Sequence, residues 1–147
     1  MKKMMITLAL ALTLGASYAF AGETNVTEEV LTAFKHDFSN AQKVKWTSAE
    51  NYFKAEFSYN GQMIAAYYTL DGDMMAVVRN ISTLQLPINL QKNYKKNFEG
   101  YWVADLFEVA SSEGTSYYLT LENADGKVVL KSVDSSSWNV FEKNKKA

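Results

Sequence analysis

The side chains able to do acid–base, nucleophilic or metal chemistry are few and scattered. His36 is the only histidine and there is no cysteine, which excludes thiolate chemistry and the common His/Cys zinc sites. His36 lies two positions from both Phe34 and Phe38, off the apolar stripe of its segment. A general base needs a partner within hydrogen-bond reach, and the neighbouring Asp37 is expected to point elsewhere on a helix. His36 therefore reads as a surface histidine. Asp71/Asp73 and Asn123/Asp125 lack the alternating acids and distal glutamate of a calcium loop. A glycine directly after the acid, in Asp71-Gly72 and Asp125-Gly126, is turn chemistry. Ser111-Ser112 and Ser135–Ser137 lie outside any G-x-S-x-G elbow, and only one histidine exists to activate a serine. No two of the 16 acids stand out as a glycosidase pair. The reading is a non-enzyme with no catalytic, metal or cofactor-binding residue, and a hydrolase ranks last.

What remains is an excess of aromatic residues on one phase of the strands. In 52–59, Phe53, Ala55, Phe57 and Tyr59 alternate with Tyr52, Lys54, Glu56 and Ser58, a period of two. Asn60-Gly61 follows, the strongest short hairpin signal. The two-residue loop sets Phe57 against Ile64, Ala55 against Ala66 and Phe53 against Tyr68 on one face. Tyr52, Met63 and Tyr67 then point to the other face beside Lys54 and Glu56, and Tyr118 is out of phase with Leu119 and Leu121. Tyrosines among mixed charges are typical of interface hot spots. The pattern nominates Tyr52, Lys54, Tyr67 and Tyr118 as partner contacts. As exposed side chains, Tyr52 and Tyr67 are expected to tolerate alanine with thermal stability nearly unchanged.

The elements that must position this face are legible as well. Val26, Val30, Phe34 and Phe38 recur every four residues, predicting a helix over 28–38 with Thr27 as its N-cap and Glu28 and Glu29 in the first turn. Val44 and Trp46 suggest a short strand, Trp46 being core. A two-residue turn at Asp71-Gly72 would set Met75 and Val77 opposite Tyr68 and Ala66. Leu86-Pro87 then opens a second helical stripe, Leu90, Tyr94 and Phe98, with Pro87 suited to the first helical position. Strands are expected at 102–110, 116–123 and 127–133. Asp71-Gly72 and Asp125-Gly126 stand at the same offset, within one residue, as Asn60-Gly61 and Glu113-Gly114, so the chain reads as a degenerate repeat of halves 26–80 and 86–134 within one domain, 22–134. Residues 135–147 read as a C-terminal extension from which Trp138 and Phe141 dock back before a polar tail.

The whole-chain composition mixes two things. It is 48% hydrophobic and 14% aromatic with a formal charge of −1, enough for a core and without the basic face that nucleic acid requires. Yet residues 1–21 read as an export signal: Lys2-Lys3, the apolar run 4–14, then Ala19-Phe20-Ala21 with cleavage after Ala21. The run is too short to span a bilayer as a helix, and no cysteine follows to carry a lipid anchor. The expected address is the periplasm or the exterior, with no membrane span in the mature chain.

Phe38-Ser39-Asn40-Ala41-Gln42-Lys43-Val44-Lys45-Trp46 resembles the opening motif of PepSY-like, β-lactamase-inhibitor-protein-like (BLIP-like) exported bacterial proteins. The likeness continues through Tyr52-Phe53-Lys54-Ala55-Glu56-Phe57, Tyr59-Asn60-Gly61, Leu70-Asp71-Gly72 and Leu86-Pro87. It implies an α+β fold: a tandem helix-plus-antiparallel-strands repeat forming one curved sheet, with helices packed on one face and the sheet as contact surface. The β-lactamase inhibitor proteins carry disulfides, whereas this chain has none, and no loop here matches their inhibitory loop. Sequence thus leads to an exported binding module for a protein or peptide partner in the cell envelope, inhibition being one form such binding takes. The alternative is a carrier of a small apolar ligand between helices and sheet.

Overall fold

Thr27 starts the first helix as its composition predicts, its Oγ1 accepting from the Val30 N–H at 3.4 Å. In the computed structural model, which describes residues 25–145, α1 (Glu28–Asp37) is followed by β1 (Gln42–Ser48), β2 (Tyr52–Tyr59), β3 (Gln62–Thr69) and β4 (Met74–Asn80). A short 3-10 turn (Thr83–Gln85) leads into α2 (Ile88–Asn97), then β5 (Trp102–Ser111), β6 (Gly114–Glu122), β7 (Gly126–Ser132) and β8 (Asn139–Lys145). The export signal expected at 1–21 and its cleavage after Ala21 lie outside the described residues. The strands form one antiparallel, open and curved sheet in sequence order, with both helices on one face. The fold is α+β as expected.

Each helix packs on its own strands, α1 on β1–β3 and α2 on β5–β7. Val30 and Phe34 of α1 are buried, and the Phe34 ring meets Trp46 at 5.1 Å and Phe57 at 5.0 Å, both edge-on. Such pairs stabilise by about 0.5–1.5 kcal/mol beyond the area they bury. Trp46, expected as core, is partly buried and packs against this cluster. Leu90 and Tyr94 of α2 pack on Leu106, Leu119, Leu121 and Leu130. Pro87 is the N-cap rather than the first helical residue, its carbonyl accepting from the N–H groups of Leu90 and Gln91.

The β2–β3 register agrees with the expected one at every pair. The next turn does not. Val77 does stand opposite Ala66 as expected, but four residues separate β3 from β4, and a bulge leaves Met74, not Met75, opposite Tyr68. The cause is the Asp71-Gly72 segment: Thr69 binds Asp73 through both backbone and side chain, and Gly72, at φ +96, packs where a Cβ would lie 3.0 Å from the Glu29 carbonyl oxygen. Met75 turns to the other face instead.

The repeat also differs from the one its turns suggest. On the helix face, Trp46, Ala55, Ala66 and Val77 stand side by side across β1–β4. Leu106, Leu119, Leu130 and Val140 do the same across β5–β8. Asp125-Gly126 therefore corresponds to Asn60-Gly61, the second-to-third-strand turn, and not to Asp71-Gly72. The stretch 135–147, expected as an extension beyond the second half, contains β8, the strand that completes a second set of four. Its first part is tied to α2: the Trp138 indole donates to the Leu90 carbonyl and the Asn93 amide to the Ser136 carbonyl, each at 2.9 Å. Trp138 docks as expected, but Phe141 sits in the strand at a bulge.

Candidate functional site

The face without helices is the one that carries the nominated contacts. Sheet pairing sets Lys54, Tyr67 and Ala76 in one row, and Phe107, Tyr118 and Lys131 in another. All four nominated residues thus lie on the face their phase predicts. They do not converge on one point. Tyr67 and Tyr118 stand three strands apart, about 14 Å across the sheet at the usual strand spacing.

Their burial departs from expectation. Tyr67 is 8% exposed and Tyr118 6%, while Tyr52 and Lys54 are half-buried. With Ala76, Val78, Phe107, Val109 and Val129, Tyr67 and Tyr118 form a third core that runs unbroken from β3 to β7 and joins the two halves, and Tyr52 packs against it. Among the described residues no helix covers it. The side chains at its centre are small, alanine and valine, and the larger rings pack to either side, Tyr67 with Tyr52 and Tyr118 with Phe141. The tyrosines nominated as surface contacts are thus largely floor, and burial argues against the expectation that Tyr67 tolerates alanine without loss of stability.

Two aromatic–cation groups sit on this floor. In the first, Tyr52 and Tyr67 meet at 5.5 Å with their rings tilted by 56°, Lys54 Nζ lies 5.8 Å from the Tyr67 ring centre, and Lys54 is paired with Glu56 at 3.0 Å. Burial works to lower the Lys54 pKa, but Glu56 and the two tyrosines outweigh it and leave it raised. Burial likewise raises the Tyr67 phenol, against the pull of Lys54. In the second group, Tyr118 and Phe141 meet edge-to-face at 5.5 Å, with Lys131 Nζ 5.3 Å from Tyr118 and 5.7 Å from Phe141. Around the floor, Met63, Trp102 and Phe141 are 59%, 51% and 48% exposed. Met63 was assigned to this face from its phase. Trp102 and Phe141 were not, because a bulge interrupts the alternation beside each.

The remaining candidates stay apart. His36 is exposed, as expected, although its ring does reach Asp37, at 3.3 Å, because Asp37 ends the helix and turns its other oxygen to the Tyr68 hydroxyl at 3.1 Å. Among the described residues no group of three potential ligands is placed to hold a metal ion. A hollow of about 490 Å³ is lined by Asn40, Ala41, Gln42, Ser58, Asn60 and Gly61, at the hairpin end of β2, and Ala41 also packs against the α1 core. On the helix face, Arg79 of β4 grips Glu108 of β5 at 2.8 and 3.2 Å, an ion pair that links the two halves.

No family model and no curated protein matches the sequence. Solved structures do. A BLIP-like protein from Bacteroides fragilis shares 16% identity over 84% of this chain and 89% of its own, with a TM-score of 0.70. A Bacteroides ovatus protein of the DUF2874 family gives 16% identity, 84% and 89% coverage, and 0.73. A Bacteroides eggerthii protein with a provisional periplasmic assignment gives 15%, 83% and 90%, and 0.73. The chain has a BLIP-like fold. Among the described residues no helix is long and apolar enough to cross a membrane.

Proposed function

We propose that this protein is an exported, non-enzymatic binding module of the PepSY-like, BLIP-like kind that offers its helix-free sheet face to a protein or peptide partner. One observation carries the reading: exposed Met63, Trp102 and Phe141 ring a floor that is already packed. Large apolar side chains around a rigid centre bind at low entropic cost, since little has to be ordered on contact. Tyr52 and Lys54 contribute as half-exposed contacts, and Tyr67 and Tyr118 by holding the floor. The sequence of residues 1–21 and the provisional assignment of a structural neighbour support an envelope or secreted location. The carrier reading is less well supported, because aromatic rings fill the space beneath α1 and leucines that beneath α2.

The test is affinity capture from the native envelope with the wild-type chain and a Met63→Ala/Phe141→Ala double variant, read by mass spectrometry. A partner held by the first and lost by the second, with the same melting temperature, is the expected result. Equal capture by both would refute the assignment of the face. A small molecule co-purifying with the native protein would favour the carrier.

A further inference from the structure

The two aromatic–cation groups differ in one respect that bears on partner chemistry. Lys54 spends its charge on Glu56 at 3.0 Å. Lys131 has no carboxylate within ion-pairing distance among the described residues; its ammonium rests between Tyr118 and Phe141 alone. Ring faces attract a cation without cancelling its charge, so they hold it in place and leave it able to bind an anion. Glu142, the acid next in sequence to Phe141, accepts from its own neighbour Asn144 at 2.7 Å. Tyr118 beneath is 6% exposed and cannot move aside, while Phe141 is 48% exposed and free to cover an arriving group.

Resting on the reading of this face as the binding surface, we propose that Lys131, Tyr118 and Phe141 form a subsite for an Asp or Glu side chain of the partner, flanked there by an apolar residue. The carboxylate meets a pre-positioned ammonium in a charge-assisted hydrogen bond, and the flanking apolar side chain packs on Phe141 and keeps water from the pair. A polyanion such as nucleic acid is disfavoured, since the chain as a whole is negative and such ligands need many cations together.

The probe is a displayed library of random dodecapeptides selected on the full chain, with enriched sequences remeasured on variants. Enriched peptides are expected to carry an Asp or Glu beside an aromatic or aliphatic residue. Lys131→Met, which keeps the alkyl stem, should weaken them about 10- to 100-fold, the worth of a hydrogen bond to a charged group. Lys131→Arg should restore most of the affinity, and neither variant should shift the melting temperature appreciably. Peptides that need Met63 and Phe141 but carry no acid, or that tolerate Lys131→Met, would overturn the subsite and leave the face reading standing. Peptides indifferent to every substitution on the face, or no enrichment at all, would overturn both.

Discussion

Replacing Tyr67 by alanine separates a face that is a core from a face that is merely a surface. Tyr67 is 8% exposed, with Tyr52 tilted against its ring and Lys54 close beside it. A buried aromatic removes about 150–250 Å² from water, worth about 4–6 kcal/mol at about 25 cal/mol per Å². Large-to-alanine substitutions of buried aromatics cost about 3–5 kcal/mol. Because Tyr52 and the Lys54 stem can partly collapse into the gap, the lower end, about 3 kcal/mol, is expected. With a urea m-value of about 2 kcal/mol/M, the unfolding midpoint should fall by about 1.5 M. Tyr67→Phe keeps the ring and should cost less than about 1 kcal/mol. Tyr52→Ala, at a half-buried position, should cost about 1 kcal/mol. Equilibrium urea unfolding followed by circular dichroism measures all three. A Tyr67→Ala loss below about 1 kcal/mol would refute the reasoning, since a side chain that leaves no cavity was never part of a core.

Other tests address the rest of the frame. Ending the chain after Asp134 removes β8 and Trp138 and uncovers the long edge of β7; the product should aggregate or lose cooperative unfolding. Gly126→Ala would place a Cβ 2.7 Å from the Asn144 carbonyl oxygen, so it should loosen β8 and raise amide exchange there while α1 stays protected. Glu108→Gln weakens the grip of Arg79 across the two halves and should cost about 1–2 kcal/mol, less than a fully buried pair because Arg79 is about a third exposed. The Tyr68 phenol is raised far above its ordinary value, by burial first and by its bond to Asp37 second. The folded state thus keeps a proton that the unfolded state releases above about pH 10, so stability should fall there by up to about 1.4 kcal/mol per pH unit. Tyr68→Phe should reduce that slope in urea titrations, leaving the part owed to Tyr67 and Tyr117, which burial also raises.

What could be read from the sequence followed how local its cause was. The β2–β3 hairpin is determined by Asn60-Gly61 and a strict alternation, and its register was legible residue by residue. The α1 N-cap depends on Thr27 and its own first turn, and was legible too. The β3–β4 turn was not, because its geometry depends on contact with Glu29 more than forty positions away in the chain. β8 was invisible for a different reason. At the sheet's outer edge all seven of its residues are exposed, so hydrogen bonding to β7 holds it and no apolar alternation marks it. The phase of the candidate face was legible, but its burial was not. A period of two says which side of a strand a tyrosine takes; whether Tyr67 is then buried there depends on Ala76, Val78 and Val109, one and two strands away.

That burial decides which residues the face leaves exposed. An unpacked face would present Tyr67 and Tyr118 as adaptable contacts, each losing side-chain entropy on binding. Here folding has already ordered both, with Lys54 and Lys131 set against their rings. The third core spans β3 to β7 and so crosses the junction that Arg79 and Glu108 brace from the opposite side. Flexing one half against the other would break contacts on both faces at once, which makes the junction stiff and the spacing between the two aromatic–cation groups constant. On the proposed reading of the face, a partner must match that spacing as it stands. Selectivity would then come from the rim, where Met63, Trp102 and Phe141 differ in shape, and from Lys131, which no acid among the described residues neutralises. Substitutions in the floor should therefore appear first as lost stability, and substitutions at the rim as lost binding in a protein that still folds.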